Sequence, residues 1–86
     1  MIRTFEELFA KMKADGKNWI PLHRMHQEYQ YWYQEMKETS GGPQATAHRL
    51  KDRAAENLAG YLSCLRDLNY ISEGEYGWLW GSLDRI

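Results

Sequence analysis

The stretch ATAHRLKDRAAENLAGYLSCLRDLNYISEGEYGWLWGSL, Ala45 to Leu83, decides the fold. At about 100° per residue, Ala47, Leu50, Ala54, Leu58, Tyr61, Leu65 and Leu68 fall within a sector roughly 80° wide, the apolar stripe of a core-facing helix. Arg49, Asp52, Arg53 and Glu56 lie outside it. A helix from Gln44 to Leu68 would be about 37 Å long, and Gly60 is where a bend is expected.

The turn that follows is written in local chemistry. Asn69 is suited to the left-handed conformation that ends a helix, and Ser72 stands where an N-cap is needed. Glu75, three residues on, completes a capping box, and Ile71 and Tyr76 occupy the two positions of a hydrophobic staple. The reading is a helical hairpin. In its second arm Tyr76, Leu79, Trp80 and Leu83 share one side and are expected to pack on the long helix. Gly74, Gly77, Gly81 and Trp78 fall on the other. Each interior glycine costs roughly 1 kcal/mol relative to alanine, so three on one face call for a compensating reason, such as close approach of another backbone. Alternation of Tyr76, Trp78 and Trp80 with Gly77, Leu79 and Gly81 also fits a strand, but a capping box has no purpose there.

Upstream, Thr4 and Glu7 form another capping box, and Phe5, Leu8, Phe9 and Met12 recur at helical spacing until Asp15-Gly16. Pro21 suits the first turn of a second helix, in which Leu22, Met25, Tyr29, Trp32 and Met36 form a seam. Tyr31 points away from that seam, beside Arg24, Gln27 and Glu35. Thr39-Ser40-Gly41-Gly42-Pro43 breaks the helix. The expected architecture is therefore all-α, one small four-helix domain over residues 1 to 86, with helices at 5 to 15, 21 to 38, 44 to 68 and 72 to 84 and a C-terminal helical hairpin.

Composition bounds the function. A chain of 86 residues has room for one modest core. With 11 basic and 12 acidic residues the net charge is −1, so there is no basic excess for non-specific nucleic-acid binding. No apolar run reaches the roughly 18 residues of a membrane span, and no signal peptide is recognisable. Cys64 is the sole cysteine, which precludes an intrachain disulfide and points to a reducing, cytoplasmic setting. Four Trp and six Tyr against two Phe are the composition of an interface as much as of a small core.

Candidate chemistry is sparse. His23 and His26 are spaced i,i+3, and His48 with Asp52 i,i+4, but two histidines are half a zinc shell, so surface or capping roles are expected and no metal or cofactor. Cys64 lies at the edge of the long helix's stripe, where a lone cysteine is expected to be a small buried hydrophobe. Neither a carboxylate pair nor a phosphate loop stands out, and an enzyme is not expected.

The reading is a small non-enzymatic protein that binds another protein, a regulator or inhibitor occluding a larger machine, of the sort phages and mobile elements encode, anti-CRISPR proteins among them. Trp78 is the expected anchor, with Gly77, Gly81 and Gly74 admitting a partner's backbone and Tyr31 as a further contact. The competing expectation is that Trp78 folds back over helix 1 or the loop after Pro43. A homodimer is one form the partnership would take. The alternative rests on the basic run Arg49, Lys51 and Arg53, with Asn18 to Pro21, which resembles the short strand before helix 2 of winged-helix domains. That resemblance implies a helix-turn-helix DNA-binding regulator, although a wing requires a β-hairpin where this chain has a capped helix.

Overall fold

The computed structural model describes residues 1–83. Within them the chain forms four α-helices and no strand: α1 (Phe5–Ala14), α2 (Ile20–Glu38), α3 (Gly41–Asp67) and α4 (Glu73–Ser82). The all-α architecture is as expected, and the strand alternative for residues 76 to 80 is excluded. The C-terminal limit proposed for α4, at Asp84, lies outside the described residues.

Local signals account for the helix ends. Thr4 Oγ1 accepts from the Glu7 N–H at 3.2 Å at the start of α1. Asn69 adopts φ +61°, as its position after α3 requires. The Ser72 box is reciprocal, with the Glu75 N–H donating to Ser72 Oγ at 3.1 Å and the Ser72 N–H to Glu75 Oε1 at 2.8 Å. Ile71, the first half of the staple, is buried, and Tyr76 packs against the core.

The helix limits differ from the expected ones by one or two residues, with Ile20 and Pro21 of the strand-like segment Asn18 to Pro21 already in α2, and one boundary differs by more. The break is confined to Thr39 and Ser40, and Gly41, Gly42 and Pro43 form the first turn of α3. The first N–H groups of a helix have no intrahelical acceptor, so proline loses nothing there, and Gly41 takes φ +68°. α3 then runs without interruption through Gly60, and the expected bend is not a break in the helix.

The most extensive helix contact is the antiparallel α2–α3 pair, rather than α3–α4. Short α1 and α4 lie against one half of this pair, giving an elongated body of 43 × 21 × 18 Å. Phe5, Leu8, Leu22, Tyr29, Leu58, Leu62 and Leu79 are its most deeply buried side chains. Beyond Tyr29 on α2 and before Ala54 on α3, Ala47 is the only buried residue among those described.

Several burial expectations are corrected. Leu68, about 80° round α3 from Leu58, is 72 % exposed, while Leu62, about 40° to the other side of Leu58, is buried instead, so the inward face of α3 is rolled toward Leu62. Cys64 is exposed, since about 200° of helical rotation separates it from Leu62. Trp80 is 41 % exposed. Leu79 points straight inward, and its neighbours at about 100° to either side reach the flanks of α4 rather than the core. His26 is buried, not a surface histidine, because it lies i+4 from Leu22 and i−3 from Tyr29 and so shares their stripe.

Candidate functional site

α4 rests on the core through Leu79 and Leu83, both buried. With 3.6 residues per turn, this orientation sends Gly74, Gly77 and Gly81 outward as a crest and puts Trp78 and Trp80 on opposite flanks. A Cβ added at Gly77 or Gly81 would meet nothing of the chain within 4 Å, and one at Gly74 would touch only the end of Met1 at 3.5 Å and Ser72 Oγ at 3.9 Å. Internal packing therefore does not explain these glycines. Both indoles are 41 % exposed.

Trp78 borders a cleft of about 500 Å³ between the start of the chain, α2 and α4. The Arg3 guanidinium lies 5.0 Å from its ring centroid, within cation–π range. Trp78 thus faces the start of the chain while keeping a large part of its surface open. His26 forms part of the same cleft and stacks on Phe5, ring centroids 4.2 Å apart and planes 20° from parallel. Burial lowers the His26 pKa from its ordinary 6.5, opposed by the Glu6 charge and assisted by His23. On the other flank, Trp80 borders a smaller notch of about 220 Å³ with Tyr29, Lys51, Asp52 and Ala55.

Two further ties hold this corner. The Ile2 N–H donates to Glu75 Oε2 at 2.8 Å, and with the Ser72 N–H it keeps the Glu75 carboxyl below its usual range. At the other end of α1, Tyr70 Oη donates to Asp15 Oδ2 at 2.7 Å, and Lys11 Nζ donates to the Tyr70 carbonyl at 3.0 Å. Burial first, then the bond to Asp15 and its charge, push the Tyr70 hydroxyl up to about 12.

The remaining sequence candidates do not assemble with this surface. Tyr31 is 57 % exposed, meets Trp32 of its own helix edge-on at 4.8 Å and lines neither of the clefts beside α4. Arg49 and Arg53 share an exposed face of α3, but Lys51 turns to the other side of the helix, half-buried and paired with Asp52 at 3.2 Å. His48 Nδ1 also meets Asp52, at 3.2 Å. The basic run is therefore split and partly neutralised. Among the described residues no three His, Cys, Asp or Glu are grouped to hold a metal, and no helix is long and apolar enough to cross a membrane.

Sequence reasoning missed Arg3 and underrated His26. The spacing Leu22, His26, Tyr29 carried a signal for the second; none marked Arg3, whose place depends on the start of the chain folding onto α4. Compared with protein-family models, with curated proteins and with solved structures, the chain matches none.

Proposed function

We propose that this is a small non-enzymatic protein that binds another protein through the outward side of α4, acting as a regulator or inhibitor that covers part of a larger partner. The observation that carries the reading is the bare glycine crest of Gly74, Gly77 and Gly81 between two half-open indoles. Glycines that cost helix stability and contact almost nothing within the chain suit close approach from outside. Partly exposed tryptophans beside them suit anchoring, since a few aromatic side chains carry most interface energy.

Trp78 is the anchor of this reading, and Arg3 stacked on it restricts the indole to a shape a partner can meet without ordering it first. The partner is a different protein or a second copy paired by two-fold symmetry. The test compares wild type, Trp78→Ala and the distant Arg53→Ala, each verified folded by circular dichroism, in affinity capture from host lysate and in sedimentation over a wide concentration range. A partner or dimer present with wild type and Arg53→Ala but lost with Trp78→Ala is expected, a loss of about 2 kcal/mol or more, roughly thirtyfold in affinity. Binding that survives Trp78→Ala, or a constant monomer that captures nothing, rejects the surface.

A further inference from the structure

We propose that His26 makes the seating of α1 on α2 sensitive to mild acid, so that its protonation loosens α1 and opens the cleft beside Trp78 while the α2–α3 pair stays folded. The site is built for a neutral ring. His26 is 7 % exposed, stacked on Phe5 at 4.2 Å and edge-on to Phe9 at 5.8 Å. Next to it, His23 meets Phe9 at 5.1 Å and Trp19 at 5.3 Å. Two aromatic rings of α1 thus sit directly on two histidines of α2, and a charge placed there has little water to solvate it.

The charged groups around His26 oppose one another. From α1, Glu6 favours the imidazolium; Arg3, at the start of the chain and in the same cleft, is a like charge, as is His23 on α2 once protonated. α4 contributes Trp78 and Ser82 to the cleft, neither of them charged, and α3 contributes none of its lining. Burial outweighs Glu6, and the His26 pKa is lowered from 6.5.

The sign follows. In the unfolded chain the ring takes its proton near 6.5, and in the seated state only at lower pH. The seated state is therefore fully favoured above 6.5 and loses ground as pH falls from there to the folded value, by up to about tenfold in population per pH unit. Glu75 is not involved, because its carboxyl titrates below 4.5. The loosening starts at α1 because its rings, Phe5 and Phe9, are what rest on His26 and His23. This latch is independent of whether Trp78 meets a partner.

The experiment follows the His26 imidazole by NMR through a pH titration of the full chain, with hydrogen-exchange protection measured residue by residue from about pH 7.5 to about pH 5. His26 is expected to titrate below 6.5, and amides of Phe5–Ala14 to lose protection, corrected for intrinsic exchange, several-fold more than those around Leu58. His26→Phe, which retains a stacking ring, is expected to abolish the acid-linked loss, and His23→Gln to leave it in place. Titration of His26 at or above 6.5, equal loss of protection in α1 and α3, or an unchanged acid response in His26→Phe would each overturn the proposal. The wild-type titration decides even if His26→Phe fails to fold.

Discussion

The backbone N–H of Ile2 donates to Oε2 of Glu75 at 2.8 Å, tying the first buried residue of the chain to the cap of its last helix. The other carboxylate oxygen closes the Ser72 box, so one side chain secures both the entry of α4 and the N-terminal segment that brings Arg3 to Trp78.

Glu75→Gln keeps the shape of the side chain and removes the charge that both N–H groups face. A loss of about 1 kcal/mol is expected in urea unfolding at neutral pH. Because the folded carboxyl titrates below the ordinary 4.5, its contribution is intact above that value and disappears as pH falls through the folded one. The variant should lack this acid limb, which is separated from the His26 window that begins at 6.5.

Alanine at Gly77 or Gly81 enters open space in an ordinary helical conformation. Each is expected to raise stability by about 0.5–1 kcal/mol, read as an upward shift in the thermal midpoint. If the crest admits a partner's backbone, the same substitutions weaken binding. A stabilised protein with undiminished binding would separate the glycines from recognition.

Leu62→Ala and Leu68→Ala test which residues complete the stripe of α3. Leu62 has no exposed surface, and its truncation should cost about 2–5 kcal/mol in urea unfolding. Leu68 is 72 % exposed, and its truncation should stay within about 0.5 kcal/mol. Equal losses would contradict the roll of α3 described above.

The parts of the fold legible in the sequence are those fixed by near neighbours. Asn69, Ser72 and Glu75 act within a few residues, and their positions alone predict the end of α3 and the start of α4. The roll of α4 is different in kind. Any of Tyr76, Leu79 or Trp80 can head an inward face by periodicity, and docking against α3 chooses Leu79, which turns Trp80 outward. His26 was legible by spacing and obscured by residue type, because a histidine between Leu22 and Tyr29 is apolar enough to stack when neutral. The contact of Arg3 with Trp78 had no periodic trace, since it depends on the segment before α1 meeting α4.

The α2–α3 pair outruns the two short helices that cover it. From Tyr29 to the end of α2 is about 13 Å of helix, so the corner at Thr39 and Ser40 stands well clear of the α4 crest. That corner is a handle. Inserted residues, a fluorophore or an immobilising tag are best tolerated where little of the core is disturbed, and attachment at Ser40 would present the indole-flanked side of the molecule freely to whatever approaches it.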